Sequence, residues 1–210
     1  MKAELIDFMG NDLTVVNAAR VSFNKKKEKL DDGDISLISY LGRHKHLSPF
    51  GHCFATFRCR APIFVARQLV KHKFLRWNEI SRRYVKDEPE FDWPFKWRKQ
   101  AKDKKQGSGE DLEFDCHIHN STLQHELNSI KLYEYLLKRG VCEEQARMIL
   151  PQNMITEWYW SGSLDAFADM CNLRTKGDTQ YETQLIAKDI AKHMSNHYPN
   201  SWGALTGSSS

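Results

Sequence analysis

Hydrophobic and polar positions follow two different periods along this chain, and each period predicts a different kind of element. Alternation and extended composition predict strands at residues 3 to 8, 53 to 60 and 156 to 160. Helical spacing of apolar residues predicts helices at 12 to 23, 34 to 44, 63 to 72, 117 to 139, 143 to 150, 163 to 172 and 179 to 196. The chain therefore mixes strands with helices, and it shows no internal repeat.

The strand at 53 to 60 has the clearest alternation. One face carries apolar side chains and the other carries larger or polar ones, namely Cys53, Ala55, Phe57 and Cys59 against Phe54, Thr56, Arg58 and Arg60. Because successive side chains of a strand point to opposite faces, this pattern predicts one buried and one exposed face.

Capping residues support several helix boundaries. Asn11 or Asp12 can cap the first helix, and Asp34 or Ser36 can begin the second. Gly140 can end the longest helix, since glycine adopts the left-handed conformation found after many helices.

The remaining segments are predicted from their turn-forming and charged residues. Pro62 suits the first turn of the helix that follows it, because its missing N–H has no partner there. We expect an ordered loop at 73 to 83 and a short strand around Tyr84. Residues 88 to 115 combine charge with aromatic side chains and predict a mobile insertion, and residues 206 to 210 predict a frayed tail.

Composition limits the class of protein. With 210 residues, we expect one domain spanning residues 1 to 210, and no stretch is apolar for long enough to predict a membrane helix. The N-terminus lacks the pattern of a signal peptide, so we expect a cytoplasmic protein without membrane contact. The five cysteines include no CxxC pair, which favours buried thiols over disulfides or a metal site.

Positive charge is concentrated in one segment. Residues 58 to 83 contain eight lysines and arginines, and Glu79 is the only acidic residue among them. Such a patch attracts phosphate, whether in a nucleic acid or in a small nucleotide. The densest part runs from Lys71 to Tyr84, where a solvated basic helix end is the alternative interpretation.

Two other groups of residues suggest chemistry less strongly. Ser81 lacks a neighbouring base with an acid to orient it, so we interpret it as a ligand for substrate instead of a nucleophile. His44, His46 and His52 have no acidic ligand nearby, so we predict no metal site there. The sequence Cys116-His117-Ile118-His119 has no partner motif, and we assign it no role.

The segment Lys71-His72-Lys73, followed after seven residues by Ser81, resembles the signature of flavin-dependent thymidylate synthases. The resemblance extends in the family's order over residues 9 to 190. Its further blocks are Met9 to Asp12 with Ala18 to Phe23, Ala61 to Gln68, Asn78 to Tyr84, Ala146-Arg147 with Leu150-Pro151, Asn172 to Arg174, and Gln180 to Glu182.

The resemblance implies an activity and an assembly. It implies methylation of dUMP to dTMP without a cysteine nucleophile. The carbon would come from 5,10-methylenetetrahydrofolate and the hydride from FAD reduced by NADPH. We expect an α+β fold with helices packed on a central antiparallel sheet, and the resemblance implies a homotetramer with active sites shared between subunits.

The resemblance also implies residue roles. Arg174 would be catalytic, contacting the pyrimidine and favouring its N3-ionised form. The dUMP site would comprise Gln68, Lys71, Glu79, Ser81, Arg82, Arg83, Tyr84, Arg147 and Arg174. The FAD site would comprise His46, Ser48, Lys71, His72, Lys73 and Glu79.

This sequence departs from the family pattern in two places. Lys71 and Lys73 stand where arginine is frequent, which keeps the charge but loses bidentate geometry. Ser163 and Asp165 stand where many members have Asn and Arg, and that Arg would face the flavin's phosphates. An acid at 165 argues against phosphate binding there, and Arg67, Lys73 or the helix N-terminus near Ser163 could compensate.

Two rival functions remain open from the residues alone. A nucleic-acid-binding module would stack bases on Phe74, Trp77 and Tyr84 and hold the backbone with the basic stretch. A metal-dependent hydrolase would use the histidines. Neither rival explains the blocks around Arg147 and Arg174.

Overall fold

The computed structural model describes residues 1–85, 87–102 and 107–207. It contains four strands, namely β1 (Lys2–Met9), β2 (Phe54–Pro62), β3 (Arg76–Glu79) and β4 (Ile155–Ser163). Its α-helices are α1 (Asp12–Arg20), α2 (Asp32–Arg43), α3 (Ile63–Leu69), α4 (Cys116–Lys138), α5 (Glu143–Ala146), α6 (Leu164–Arg174), α7 (Tyr181–His197) and α8 (Pro199–Thr206). Short 3-10 turns at Val21–Phe23, Phe50–His52 and Arg147–Ile149 complete the described elements.

The strands form one antiparallel sheet in the order β1-β2-β4-β3. Its centre is the long pairing of β2 with β4, which sets Phe57 opposite Trp160 and Cys59 opposite Trp158. All four of these side chains are buried, whereas Arg58 on the next position of β2 is exposed. The predicted α+β fold with a central antiparallel sheet is therefore confirmed.

Helices cover the apolar face of the sheet and form the core with it. The ring of Phe57 meets Phe167 of α6 edge to face at 5.2 Å, and Phe167 meets Trp160 at 5.6 Å. The C-terminal helices are tied to the sheet by polar bonds, because the Tyr198 hydroxyl donates toward the carbonyls of Met9 and Phe54 at 3.0 and 3.1 Å. These contacts fix α6 and α7, which carry part of the candidate site.

The predicted elements around β3 were wrong in detail. Strand β3 lies inside the predicted loop, because Trp77 stacks on Trp158 at 4.4 Å and draws the segment against β4. Tyr84 lies in a turn, where its N–H donates to the Ser81 carbonyl at 3.0 Å, and not in a strand. Helix α3 ends at Leu69 instead of His72.

Three helix boundaries also differ from the predictions. The cap of α2 is Asp31, not Asp34 or Ser36, because the Asp31 side chain accepts from the backbone of Asp34. Pro62 is the last residue of β2 and precedes α3. Helix α8 was not predicted, since Pro199 resembles a stop signal but occupies the first position of this helix.

Residues 88 to 115 contain no helix or strand within the described part of that segment. Isolated bridges hold it at Phe91, opposite Met154, and at Arg98, opposite Asp111. The mobility of this insertion stays a prediction, and residues 103–106 lie outside the described part. Of the predicted tail, Thr206 belongs to α8, while residues 208–210 also lie outside. A single domain over 1–210 likewise stays a prediction.

A buried carboxylate joins the first two helices. Asp34 is fully buried, and it accepts hydrogen bonds from Arg20 at 2.6 Å and from Lys27 at 2.8 Å. Burial alone raises the pKa of this carboxyl, but the bonds from Lys27 and Arg20 outweigh burial and lower the pKa from 3.8 to about 2. The charged form of Asp34 is therefore the one that stabilises the fold.

We predict that Asp34→Asn lowers the free energy of unfolding at neutral pH. A carboxyl with a depressed folded pKa stabilises above its unfolded pKa of 3.8, and this contribution is lost as pH falls toward about 2. The difference between the variant and the unsubstituted protein should shrink over that interval in urea titrations at several pH values. Asp32→Asn, at an exposed position of the same turn, is the control. A pH-independent difference would contradict the account.

Candidate active site

Three helices meet at the end of α6, where Arg174 contacts a histidine. The Arg174 Nε donates to His72 Nε2 at 2.9 Å, and its Nη2 donates to the Gln68 carbonyl at 3.5 Å. The Gln68 side-chain oxygen in turn accepts from the Thr183 hydroxyl of α7 at 2.6 Å. The Arg174 cluster, defined as Gln68, His72, Arg174 and Thr183, thus joins α3, α6 and α7.

The charge state of His72 follows from this geometry. Burial and the Arg174 cation lower the pKa of His72 from 6.5 to about 4. Because Arg174 can only donate, His72 Nε2 must accept, which assigns the imidazole proton to Nδ1. At neutral pH the cluster therefore holds a positive guanidinium beside a neutral imidazole.

A cavity of about 1080 Å³ lies next to α3 and β3 and extends to the turn after α5. Its lining includes three cations, Arg67, Arg82 and Arg147, and we call it the arginine cavity. Six described carboxylates line it as well, namely Glu79, Asp87, Glu88, Glu90, Glu144 and Glu157. Arg67 and Arg147 make no ion pair with another residue that the structure describes. Arg82 donates to the Asp87 backbone carbonyl. Guanidinium groups without an ion pair offer charge-assisted donors to an anionic group such as a phosphate.

Glu79 places a carboxylate on the wall of the same cavity. Its two oxygens accept from the Thr156 hydroxyl at 2.7 Å and from the Trp77 indole N–H at 3.1 Å. These two bonds hold the carboxylate at the end of β3. It can accept further hydrogen bonds from a ligand N–H or hydroxyl.

Other residues predicted for the nucleotide site are not part of the lining of this cavity. Ser81 Oγ accepts from the Arg83 Nε at 3.3 Å, and the Arg83 guanidinium lies 5.2 Å from the Tyr84 ring centre. Tyr84 is 76% exposed. Ser81, Arg83 and Tyr84 thus form a surface turn, and neither they nor Lys71 is among the residues that line the cavity.

The residues predicted at the flavin occupy three separate places, one of which is the cavity wall that carries Glu79. His72 belongs to the Arg174 cluster, and Lys71 and Lys73 flank it as exposed side chains. His46 and Ser48 lie in the exposed turn after α2, where the His46 ring meets Tyr40 and His44 at 6.0 and 6.3 Å. One chain therefore does not bring the predicted site residues into a single pocket.

The first turn of α6 contains an acidic residue, Asp165, at a position where binding a phosphate would require a hydrogen-bond donor. One oxygen of Asp165 is buried without a hydrogen-bond partner. Burial and the Asp165 charge raise the pKa of Asp169, one turn further along, while Lys45 opposes that shift. Ser163 provides no side-chain cap for this helix. These residues do not fit an anionic group at this helix end.

A family model described as thymidylate synthase complementing protein (Thy1) matches residues 4–200. The chain belongs to the Thy1 family. The resemblance to flavin-dependent thymidylate synthases is confirmed with it, since curated relatives carry that description. The one from Thermus thermophilus is 40% identical over 201 residues, covering 95% of this chain and 73% of the relative. The one from Thermotoga neapolitana is 40% identical over 191 residues, covering 89% and 82%.

A solved structure is similar to this chain over nearly its whole length. It is the UMP/dUMP methylase PolB from Streptomyces cacaoi, crystallised with 5-Br dUMP. The similarity has a TM-score of 0.88 at 29% identity and covers 98% of this chain and 94% of PolB. The fold described above is therefore shared with this methylase over nearly the whole chain.

Some polar residues of the site were missed in the sequence. Thr156 and Thr183 hold Glu79 and Gln68, but each lies far from its partner along the chain, so no local pattern predicts the contact. Phe74 was considered only for base stacking. It is 86% exposed and has a left-handed φ of 66°, a conformation that costs energy for a bulky residue. Trp77, the middle residue of that stacking prediction, is instead packed on Trp158.

The described residues contain neither a membrane-spanning helix nor a cluster of metal ligands. No helix in this part of the chain is long and apolar enough to cross a membrane. No group of three or more His, Cys, Asp or Glu side chains there is arranged to hold a metal ion.

We predict that Arg174→Gln raises the pKa of His72. The substitution removes the guanidinium, which is one of the two causes of the shift, whereas burial remains. The pKa should therefore move upward from about 4 but stay below 6.5. Histidine NMR titration of the variant against the unsubstituted protein measures this change, and Arg139→Gln at an exposed site after α4 is the control. An unchanged pKa in Arg174→Gln would show that the cation does not act on His72.

Proposed function

We propose that this protein converts dUMP to dTMP by reductive methylation, as a flavin-dependent thymidylate synthase. The carbon unit comes from 5,10-methylenetetrahydrofolate, and NADPH is the reductant of FAD. The observation that carries the proposal is the Arg174 cluster, a fixed cation beside a neutral histidine, in a chain of the Thy1 family. The 5-bromo-dUMP bound by PolB, which shares this fold, supports a pyrimidine nucleotide as the substrate.

Arg174 is the residue we assign to catalysis. A guanidinium next to the uracil ring lowers the cost of ionising N3, and the resulting negative charge makes C5 more nucleophilic. Because His72 is neutral, it does not compete with Arg174 for this anion by charge. The bonds from Arg174 to His72 and Gln68 keep the guanidinium in one orientation without neutralising it.

We assign the nucleotide phosphate to the arginine cavity. Arg82 and Arg147 line that cavity and offer charge-assisted donors, and Glu79 accepts from the ribose or the ring. Gln68 and Lys71, with Ser81, Arg83 and Tyr84 of the surface turn, complete the dUMP site in this proposal. Their separation within one chain favours a site in which a second copy supplies part of the ligands.

The FAD site we propose uses His46, Ser48, Lys71, His72, Lys73 and Glu79. Lys71 and Lys73 fit a phosphate-bearing cofactor, because among the described residues they are exposed cations without an ion pair. The unpartnered Asp165 does not fit a phosphate, so the cofactor's phosphates lie with the lysines and not at the start of α6. When bound and reduced, FAD supplies the hydride for the methyl group.

No cysteine takes part in the proposed mechanism. Burial raises the pKa of Cys53 to about 12 and also raises those of Cys59 and Cys171, so these thiols stay protonated. Cys116 and Cys142 are exposed. Cys142 lines the arginine cavity, which makes it the thiol that most needs testing.

We also propose a homotetramer in the cytoplasm, with active sites shared between subunits. Helix α4 is 23 residues long but buries only Ser129 and Tyr133. Its exposed apolar side chains include Leu123, Leu127, Leu132 and Tyr135. A second copy of the chain would cover this surface, consistent with the split of the site residues within one chain.

We predict that the purified protein binds FAD and forms dTMP. The absorption spectrum should show flavin bands that bleach when NADPH is added. Chromatography should then detect dTMP only when dUMP and 5,10-methylenetetrahydrofolate are both present. Arg174→Ala should lower dTMP formation by at least about 100-fold, as loss of one charge-stabilising donor does in other enzymes, while flavin reduction continues.

Cys142→Ser is the control for this experiment, and it should retain measurable dTMP formation. Loss of turnover in a folded Cys142→Ser protein would reinstate a cysteine mechanism. A protein that binds no FAD even with dUMP present, and that forms no dTMP, would refute the proposed function.

A further inference from the structure

A second cavity also borders α3 and shares no lining residue with the arginine cavity. Its volume is about 790 Å³, within the range of small-molecule sites, about 300–1,000 Å³. It opens between the segment 92 to 98 and the first turn of α7. Five aromatic side chains line it together with polar and charged residues, and we call it the aromatic slot after Phe64, Trp93, Phe95, Trp97 and Tyr181.

Polar and cation–π interactions with neighbouring side chains hold two walls of the slot in place. The Trp93 indole N–H donates to Glu126 of α4, and the Trp93 and Trp97 rings lie 6.2 Å apart at 59°. Opposite them, the Arg98 guanidinium lies 4.9 Å from the Tyr181 ring centre and pairs with Glu182. The rings are therefore oriented before any ligand arrives, which lowers the entropic cost of binding.

The oriented rings are nevertheless open to solvent. Trp97 is 39% exposed and Tyr181 46%. Exposed and fixed aromatic faces that surround a cavity indicate a ligand with a flat ring. The amide side chains of Asn153 and Gln180 lie on the same lining and can bond to the edge of such a ring.

The charges of the slot differ from those of the arginine cavity. Lys96 pairs with Asp111 at 3.2 Å, and Arg98 pairs with Glu182, so both described basic side chains of the lining have acidic partners. This lining is therefore suited to recognise a ring and not to bind a phosphate.

We propose that the aromatic slot binds a flat heteroaromatic ring. Sources of such a ring include the pterin of a folate and the nicotinamide or adenine of a dinucleotide. That the ring belongs to a co-substrate rests on the proposed function, whereas ring binding itself does not.

The slot adjoins the Arg174 cluster through two helices. Tyr181 and Glu182 line the slot, and the next residue, Thr183, bonds to Gln68. On α3, Phe64 lines the slot and Gln68 follows one turn later, on the same side of the helix. A ring in the slot therefore lies against the elements that position Arg174.

The test measures ring binding to the protein saturated with FAD and dUMP, so that the proposed active site is occupied. The probes are 6-methylpterin, N-methylnicotinamide and adenosine, each titrated by ligand-observed NMR. We expect one of them to bind, and its identity shows which source supplies the ring. Trp97→Leu and Tyr181→Leu should each weaken that binding about tenfold, since both remove a stacking surface.

Phe114→Leu is the matched control, because Phe114 is 83% exposed on the same long segment but does not line the slot. It should leave the dissociation constant unchanged. If no probe binds, or if Trp97→Leu, Tyr181→Leu and the control bind a probe equally well, the proposal that the slot binds a flat ring is wrong. Formation of dTMP in the same preparation is a separate readout, so a failed slot and a failed function are distinguishable.

Discussion

The contact between Arg174 and His72 is the interaction on which the account of this protein depends. It joins the end of α6 to the turn that follows α3, across 102 positions of sequence. Gln68 and Thr183 extend the same contact to α7. Because the donor is a guanidinium, the histidine must remain neutral to accept, and burial favours the same state. The result is a positive charge that is held firmly without an ion pair to any acid in the described part of the chain.

The central sheet holds Arg174 and His72 in this arrangement. Trp160 on β4 lies 6.5 Å from the His72 ring, and β4 pairs on its other side with β2. The helices that carry Arg174 and Thr183 pack on the buried face of this sheet. The position of the cation is therefore set by the hydrophobic core and not by a surface loop.

The sequence predicts the sheet centre better than its edge. The alternation from Cys53 to Arg60 is strict, so β2 and its buried face follow from it directly. Strand β3 has only four residues, all partly or fully exposed, and it exists because Trp77 stacks on a distant tryptophan. No period in four residues can predict such a contact.

The same distinction holds for the site. A cation-rich segment at Lys71 to Arg83 predicts phosphate binding from charge alone, but His72 and Arg174 are brought together only by tertiary structure. From the sequence, both residues were expected at one site only because of the family resemblance. The match over residues 4–200 confirms that resemblance. Asp165 shows the limit of that resemblance, because its unpartnered oxygen stands where a phosphate ligand would be expected.

The arginine cavity and the Arg174 cluster remain separate within one chain, and the account requires both to act on one nucleotide. Mixing subunits tests this requirement most directly. Arg147→Ala and Arg174→Ala should each be inactive in dTMP formation alone. After the two proteins are dissociated and reassembled together, sites with both native arginines should form, and dTMP formation should return. Mixtures that stay inactive, although they exchange subunits, would contradict a site shared between copies of the chain.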